Sequence, residues 1–336
     1  MIYNPVAGRS EGRRLAQVEA AAEVLRHAGV QTVVAASKGP QQGGEQARQM
    51  VNAGCDTVFA CGGDGTVNDV LQGLVGTQAA LGIIPLGTAN ALAHDLRIPR
   101  RAVSAAQSAL NAERQRIAVG KVEFHDPAGR SFSRFFTIAV GVGMDAHLFY
   151  RLQTNLKQRM GMNAYYAEAL HLWMTKHPRR FEVIFQDAIN GQTRREQVTQ
   201  VLAVRITQFG GVLRKLAPQA ALRRPDFQLI LFKTASRSAY LLYVLRSLLD
   251  GSWSVPGVEL AHSTRLECQQ LNAGNNGHDA ARIYAEADGE LLGNLPVSVS
   301  MVPDALTILV PQTLATEKVR SKLIVATPPP VGNPVS

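Results

Sequence analysis

The fold of this chain is decided by Gly62-Gly63-Asp64-Gly65-Thr66-Val67-Asn68, which directly follows the strand-like run Thr57-Val58-Phe59-Ala60. Apolar residues return at helical spacing over residues 67–74, so the pattern predicts a strand, a glycine turn and a helix. Glycines permit positive φ angles and let the backbone approach a polyanion closely. The helix directs unpaired N–H groups and the positive end of its dipole at the same point. These features predict a phosphate-binding loop.

Asp64 is unexpected in a site for anions alone. A carboxylate beside phosphate groups is tolerated best when Mg²⁺ lies between them. The loop therefore predicts a combined nucleotide-phosphate and metal site. The alternative is a tight strand-to-helix turn that requires glycine, with Asp64 capping the helix that follows.

A second loop of the same kind, Pro85-Leu86-Gly87-Thr88-Ala89-Asn90, follows the strand-like run Leu81-Gly82-Ile83-Ile84. Ligands of open α/β sheets bind outside the carboxyl ends of the strands, so two loops at neighbouring strand ends face one nucleotide. Thr88 and Asn90 are candidate hydrogen-bond donors to phosphate or purine, and helix capping is the alternative for each. A third strand-loop-helix segment begins at Asn4-Pro5.

The chain has two parts of different pattern. Residues 1–115 alternate strand-like runs with helices, which predicts a parallel sheet covered by helices. Residues 116–311 are dominated by apolar strand-like runs, which predicts an antiparallel sandwich or barrel interrupted by helices over residues 164–175 and 238–249. Residues 312–336 contain three consecutive prolines and are predicted to form a flexible tail. The predicted fold class is α/β followed by β.

Composition excludes a largely disordered chain, because 46% of the 336 residues are apolar and only 18% are charged. The net charge is +9, but the basic residues form small scattered pairs such as Arg100-Arg101 and Arg223-Arg224. A nucleic-acid-binding protein concentrates its basic residues on one stripe, so no nucleic-acid partner is expected. The pairs suit either an anionic membrane surface or an ordinary solvated surface.

The sequence gives no sign of export or of a membrane span. No stretch reaches 18 apolar residues, and Met1 to Pro5 lack the basic start and apolar run of a signal peptide. Cys55, Cys61 and Cys268 have no metal-ligand spacing. We therefore expect a reduced, cytoplasmic protein without structural disulfides.

Taken together, the loops resemble the diacylglycerol kinase catalytic domain family, which includes bacterial lipid kinases, sphingosine kinases and ceramide kinases. The matching segments, spread over residues 2–311, are Asn4-Pro5 with Gly8, Gly62 to Asn68, Pro85 to Asn90, Gly141-Val142-Gly143-Met144-Asp145, and Asp288-Gly289-Glu290. Gly-Gly-Asp-Gly-Thr also occurs in NAD kinases and phosphofructokinase-like folds, whereas the Asn-Pro start and the second loop favour lipid kinases. The resemblance implies an N-terminal three-layer α/β domain, a C-terminal β-sandwich, and a cleft between them.

The resemblance also implies Mg²⁺-assisted transfer of the γ-phosphate of ATP to a lipid hydroxyl. The implied ATP contacts are Asn4, Gly62, Gly63, Asp64, Gly65, Thr66, Val67, Asn68 and Thr88, with Asn90 beside them in the second loop. Asp64 is implied to hold the catalytic Mg²⁺ directly or through water. Asp288 and Glu290 are implied to be the acidic pair at the acceptor hydroxyl, with Asp288 near the metal and Glu290 the general base.

The spacing of Asp288 and Glu290 suits these roles. On an extended strand, residues i and i+2 point to the same face, so both carboxylates can face the cleft. The alternative is an Asp-Gly hairpin turn with two solvated carboxylates.

One stretch departs from the family. Several bacterial members hold a structural Mg²⁺ with an Asp-Gly pair that follows an Ala-Pro. Here that stretch is Ala217-Pro218-Gln219-Ala220-Ala221-Leu222-Arg223-Arg224-Pro225-Asp226, which lacks the pair. This departure argues against the second metal site, for which Asp226 is only a weak candidate.

A lipid acceptor predicts peripheral contact with a membrane. The helix around Tyr240 to Leu249, with Trp253 after it, either dips into a membrane interface or packs on the sandwich. A homodimer is left open. The rival functions are an NAD kinase-like phosphotransferase acting on a soluble acceptor, and a non-catalytic lipid-binding relative. Retention of Asp64, Asp288 and Glu290 argues against the second rival.

Overall fold

A computed structural model of the chain describes residues 1–5, 11–39, 41–126, 129–143, 178–209, 216–249, 251–271 and 283–312. The helices in these ranges are α1 (Glu11–His27), α2 (Gly43–Asn52), α3 (Asp64–Leu74), α4 (Ala91–Asp95), α5 (Ala102–Leu110) and α6 (Arg237–Leu248). The strands are β1 (Ile2–Tyr3), β2 (Ala35–Ala36), β3 (Thr57–Gly62), β4 (Ala80–Pro85), β5 (Glu113–His125), β6 (Ser131–Phe136), β7 (Ala139–Gly143), β8 (Phe181–Asp187), β9 (Thr193–Val198), β10 (Gln200–Val204), β11 (Phe227–Phe232), β12 (Val258–Gln269), β13 (Tyr284–Ala287) and β14 (Glu290–Val310).

The N-terminal part is a parallel sheet, in the order β2-β1-β3-β4, between two layers of helices. Its central strands are apolar on both faces, as expected for a parallel sheet covered on both sides. Phe59 and Cys61 pack with residues of α1 and α5, whereas Val58 and Ala60 pack with residues of α2 and α3. The predicted three-layer α/β architecture is confirmed.

The C-terminal part is antiparallel, with β7, β10, β11, β12, β8 and β9 as successive neighbours. Its alternating apolar residues form a second core, which includes Phe136, Phe181, Phe185 and Phe227. The predicted change from alternating α/β to antiparallel strands is confirmed.

The two parts share one long strand. β14 has 21 residues, pairs with β5 along most of its length, and then runs parallel to β4. Thr307 is opposite Ala80 and Ile308 is opposite Leu81 in this parallel pairing. β14 therefore extends the N-terminal sheet, so the C-terminal sequence region contributes strands to both parts of the fold.

The predicted helix over residues 238–249 is α6. The predicted helix over residues 164–175 and the predicted tail beyond Gln312 lie outside the described residues. In the ranges that are described, no helix is both long and apolar enough to cross a membrane. All three cysteines are free thiols.

Candidate functional site

The two glycine loops lie against each other at the ends of β3 and β4. Leu86 N donates to Gly62 O at 2.8 Å, which joins the loops through the backbone. A Cβ atom at Gly87 would lie 2.5 Å from Gly63 Cα, and one at Gly62 would lie 2.2 Å from Thr66 Oγ1. Both distances are shorter than real side chains tolerate, so the close approach of the loops requires glycine.

Asp64 joins the first loop to the helix that follows the second loop. Its Oδ1 accepts a hydrogen bond from Ala91 N at 2.7 Å, at the first residue of α4. Burial raises the pKa of Asp64, and the backbone N–H groups around Ala91 oppose that rise. Asp64 is thus a cap, but of α4 rather than of its own helix, which the sequence-based alternative had wrong.

Asn90 closes the second loop on itself. Its side-chain oxygen accepts from Gly87 N at 3.0 Å, and its Nδ2 donates to Gly87 O at 2.8 Å. Its φ of 51° is left-handed, a conformation that asparagine adopts more readily than most residues. Both ends of the amide therefore shape the loop, and the nucleotide contact of Asn90 stays a prediction.

A cavity of about 360 Å³ opens beside the first loop and collects residues from both ends of the chain. Among the predicted site residues, those that line it are Asn4, Gly63, Gly65, Thr66 and Glu290. A Cβ at Gly65 would lie 3.8 Å from Glu290 Oε1, so the glycine loop and the C-terminal acid face each other directly. The remaining predicted nucleotide contacts do not line the cavity: Asp64 is half-buried, Thr88 is exposed, and the others are buried, namely Gly62, Val67, Asn68 and Asn90.

Asp288 and Gly289 form a two-residue hairpin turn between β13 and β14. Their φ angles are 48° and 82°, and Ala287 pairs with Glu290 across the turn. Positive φ at both central residues is typical of the tight turns that join antiparallel strands. The predicted extended strand through this acidic pair is therefore wrong, and the hairpin alternative is correct for the backbone.

The hairpin alternative had supposed a solvated side chain for Asp288, but this side chain is buried. Its Oδ1 accepts from the backbone N–H groups of Ile138 (2.9 Å) and Ala139 (3.0 Å). Its Oδ2 accepts from Thr137 N and Asn68 Nδ2, both at 3.0 Å. Burial raises the pKa of Asp288, and these hydrogen bonds oppose that rise.

Each oxygen of Asp288 thus already has two donors. A metal ion would have to displace hydrogen bonds to otherwise unpaired buried N–H groups, which is costly. These hydrogen bonds give Asp288 a positioning role, and its roles as a metal ligand and a catalytic acid stay predictions. Its hydrogen bonds attach the Asp288-Gly289 hairpin, and with it Glu290, to β7 and α3.

Arg134, on β6, was missed by the sequence-based reasoning. Its Nη2 lies 2.7 Å from Glu290 Oε2, and its Nε donates to Asn68 Oδ1 at 2.9 Å. Asn68 in turn donates to Asp288, so one chain of polar contacts runs from α3 through both acids. No sequence signal distinguishes Arg134, because it is one arginine among many and its partner is far away along the chain.

Asp69 is a second missed residue of the cavity lining. Its Oδ2 accepts from Gly43 N at 3.2 Å, which links α3 to the start of α2. Burial raises the pKa of Asp69, opposed by the N–H of Gly43 and by the positive charge of Arg134. The cavity therefore carries carboxylates from both α3 and β14.

In the stretch from Ala217 to Asp226, where the sequence argues against a structural metal, the carboxylate of Asp226 is paired with Arg224. Arg224 donates to Asp226 through Nε and Nη2, and His262 Nδ1 lies 3.3 Å from the same carboxylate. Burial alone would raise the pKa of Asp226, but Arg224 outweighs it and the pKa is lowered. Because this carboxylate is already paired, Asp226 is not supported as a metal ligand.

No cluster of three or more His, Cys, Asp or Glu side chains that could hold a metal ion occurs in the part of the chain described. Mg²⁺ usually keeps several waters and is bound by one or two carboxylates together with substrate phosphates. A site that receives its metal with a nucleotide therefore does not need such a cluster. The remaining residues of the sequence resemblance, Gly8, Met144 and Asp145, lie outside the described ranges.

Comparison with known families covers most of the chain. The family model described as the diacylglycerol kinase catalytic domain matches residues 1–122. The model described as the YegS C-terminal NAD kinase beta sandwich-like domain matches residues 138–310. The second match alone covers more than half of the sequence.

Two curated relatives match this chain over most of its length and most of their own. The diacylglycerol kinase of Bacillus subtilis (strain 168) is 29% identical over 245 residues, which is 72% of this chain and 75% of the relative. The diacylglycerol kinase of Staphylococcus saprophyticus is 23% identical over 95% of this chain and 97% of its own length. The crystal structure of a diacylglycerol kinase from Bacillus anthracis str. Sterne shares the fold with a TM-score of 0.64, at 16% identity, over 93% of this chain and 96% of that one.

Proposed function

Because the chain belongs to the diacylglycerol kinase family and is therefore a lipid kinase, we propose that it transfers the γ-phosphate of ATP to the hydroxyl group of a diacylglycerol-like lipid. The observation that carries this proposal is the shared cavity, in which the glycine loop and Glu290 face each other. A phosphate donor and a proton acceptor on one cavity are what phosphoryl transfer to an alcohol requires.

The glycine loop is the proposed nucleotide site. Gly63 and Gly65 leave space for phosphate groups, and the start of α3 points its backbone N–H groups toward them. Thr66 and Asn4 also line the cavity and supply further polar atoms. Phosphoryl transfer depends mainly on positioning and on electrostatic stabilisation, and a rigid loop of this kind supplies the positioning.

Glu290 is the proposed general base. Its carboxylate is half-buried at the cavity wall and is held by the ion pair with Arg134. A carboxylate within hydrogen-bond reach of the acceptor hydroxyl takes its proton as the phosphorus–oxygen bond forms. Asp288 supports this step from behind, because it fixes the hairpin from which Glu290 projects.

Mg²⁺ is proposed to arrive with the triphosphate, and Asp64 would hold it. The carboxylates at and beside the cavity fit a metal that is bound mostly by phosphate and water. When bound, it neutralises negative charge on the phosphates as the leaving group departs. Asp64 would then combine charge near the metal with its hydrogen bond to Ala91.

The test is an assay with γ-labelled ATP and a panel of acceptors that includes diacylglycerol, ceramide, sphingosine and NAD. The proposal expects labelled phosphatidic acid from diacylglycerol, formed about 10³-fold more slowly by Glu290→Gln. Labelled NADP without labelled lipid would instead favour the NAD kinase-like alternative. ATP-dependent labelling of neither class would leave a non-catalytic relative and overturn the proposal.

A further inference from the structure

Helix α6 buries mostly residues with hydroxyl groups and exposes its leucines, which is the reverse of the usual pattern for a surface helix. The residues that it buries are Ala239, Tyr240, Tyr243 and Ser247, three of which carry a hydroxyl group. The tyrosine hydroxyls have partners, since Tyr240 Oη lies 2.7 Å from Thr199 Oγ1 and Tyr243 Oη donates to Leu216 O at 2.7 Å. Both rings also pack on Phe232. These bonds fix the rotation of the helix.

From Leu241 onward, the fully exposed positions of α6 are therefore occupied by leucine and valine. We define the outer face of α6 as Leu241, Leu242, Val244, Leu245, Leu248 and Leu249, the last being the residue directly after the helix. Leu241 is 56% exposed and Leu249 is 64% exposed. Trp253, close behind in the sequence, is exposed as well. Scattered exposed apolar residues are normal on proteins, but a contiguous face of this kind marks an interaction surface.

The charge along this segment is net positive. Residues 237–249 contain Arg237 and Arg246 and no acidic residue, and Asp250 follows directly after them. The guanidinium of Arg246 lies over the ring of Tyr243, at 5.2 Å from its centroid, and so flanks the leucines. An apolar helix face bordered by arginines is typical of helices that lie in the interface of an anionic bilayer.

We propose that the outer face of α6 inserts into the surface of an anionic lipid bilayer and so docks the protein where its acceptor lipid resides. This inference rests on the proposed function, because a lipid acceptor places the substrate in a bilayer. A second copy of the chain suits the face less well. A symmetric pair would bring the arginines of both copies together, and one helix of about 18 Å offers less than the roughly 800 Å² per partner of a stable interface.

The direct test is sedimentation with phosphatidylglycerol/phosphatidylcholine vesicles, without nucleotide or acceptor. The variant is Leu241→Gln/Leu245→Gln, since glutamine keeps the helix propensity of leucine while removing the apolar surface. The expected result is at least about a tenfold loss of vesicle binding, a change of about 1.4 kcal/mol. The matched control is Ile189→Gln, which removes an 84% exposed apolar side chain on the β8–β9 hairpin and should bind like the parent.

Equal vesicle binding by the parent and the double variant would overturn the inference. So would a dimer in solution that becomes a monomer in the double variant, because the face would then be an interface between copies. Binding of the parent to phosphatidylcholine vesicles as strong as to anionic vesicles would overturn the role of the arginines.

An activity pair separates this inference from the proposed function. The double variant should lose activity on long-chain diacylglycerol in vesicles and keep activity on monomeric dioctanoylglycerol. If neither protein phosphorylates any lipid while vesicle binding still depends on the α6 face, the proposed function fails and the docking surface stands.

A separate observation concerns Arg205, which is completely buried on the sheet. Its Nη1 donates to the carbonyls of Arg224 and Asp226, both at 2.6 Å. Its Nη2 donates to Ala118 O at 2.7 Å and to Leu222 O at 2.8 Å. Burial lowers the pKa of Arg205 to about 10, which still leaves it charged at neutral pH. Four carbonyls thus converge on one fixed cation.

Three of these carbonyls belong to the stretch in which the family resemblance implied a structural Mg²⁺. We infer that the guanidinium of Arg205 fills the carbonyls of this stretch so that no metal ion binds there, and that folding of this chain does not depend on Mg²⁺. A divalent cation on the same carbonyls would face the charge of Arg205 at contact distance. The paired state of Asp226 fits this inference, because no carboxylate remains to offset a second cation.

Thermal unfolding tests this inference without relying on activity. The parent, free of nucleotide, should unfold within about 1 °C of the same temperature in EDTA and in millimolar Mg²⁺, whereas a fall of about 4 °C or more in EDTA would contradict the inference. Arg205→Lys should unfold at a lower temperature, because an ammonium has three donors and no planar fork for four carbonyls. If that variant does not fold, the comparison of the parent in the two buffers still decides.

Discussion

The two sides of the cavity are held in different ways. The glycine side is held by its own neighbours: Thr66 and Val67 donate to Gly63 O, and Asn90 bonds to Gly87 within its loop. The acidic side is held from a distance, since Asp288 is fixed by backbone groups of residues 137–139 and by Asn68. We therefore expect changes on the glycine side to affect ATP binding and changes on the acidic side to affect turnover.

The largest expected effect on this comparison comes from Glu290→Gln. Glutamine is isosteric and still offers an oxygen to Arg134, but it cannot accept the hydroxyl proton. We expect kcat to fall by about 10³-fold with little change in the KM for ATP. Steady-state kinetics over a range of ATP concentrations measures both. Glu267→Gln, on an exposed acid of β12, is the control, and an equal loss of ATP binding would make Glu290 a nucleotide ligand instead.

Asp64→Asn tests the role of the negative charge of Asp64 on the glycine side of the cavity. Asparagine keeps an oxygen for Ala91 N but removes the charge proposed to face Mg²⁺. We expect a loss of about 10²-fold in kcat/KM for MgATP, with a melting temperature close to that of the parent. Asp64→Ala should lose both activity and stability. Unchanged kinetics in Asp64→Asn would reduce Asp64 to a helix cap.

Asp288→Ala tests how much Asp288 contributes to the stability of the fold on the acidic side of the cavity. It leaves three buried backbone N–H groups without their acceptor, at a cost of about 3 kcal/mol in the free energy of unfolding. Urea denaturation measures this loss. Ser298→Ala, which removes a partly exposed polar group on β14 far from the hairpin, should cost much less. A stable, active Asp288→Ala variant would show that the hairpin is held by other contacts.

Gly87→Ala should have the smallest effect. Its Cβ would press on the backbone of Gly63, so the loops must separate slightly. We expect the KM for ATP to rise by about tenfold with kcat nearly unchanged, since about 1–2 kcal/mol of overpacking strain falls on the nucleotide loop. Gly12→Ala, at an open position on α1, is the matched control. A fall in kcat alone would contradict the assignment of ATP binding to the glycine side and of turnover to the acidic side.

The same division explains what the sequence could and could not predict. The strand and the helix around Gly62 to Asn68 follow from local spacing and are found, but α3 begins at Asp64 rather than at residue 67, so only Gly63 separates it from β3. The role of Asp288 was not predictable, because its donors at Thr137, Ile138 and Ala139 lie about 150 positions away. Arg134 was missed for the same reason, since its partner Glu290 is equally remote.

Helix α6 teaches a related lesson. Its position followed from the apolar spacing, but its rotation did not, because leucine-rich spacing suggests that the leucines are buried. The hydroxyl partners of Tyr240 and Tyr243, at Thr199 and Leu216, turn the helix the other way. Such partners are set by tertiary contacts that periodicity alone does not reveal.

The central claim is that the glycine loop and Glu290 enclose the phosphates of one bound nucleotide. Its most direct measurement is the alkylation of a Glu290→Cys variant by a thiol reagent with and without MgATP, followed by mass spectrometry of the peptide that contains position 290. The account predicts rapid alkylation in the free protein, because position 290 lines the open cavity beside Gly65, and strong protection by MgATP. Slow alkylation without nucleotide, or alkylation that saturating MgATP does not slow, would contradict it.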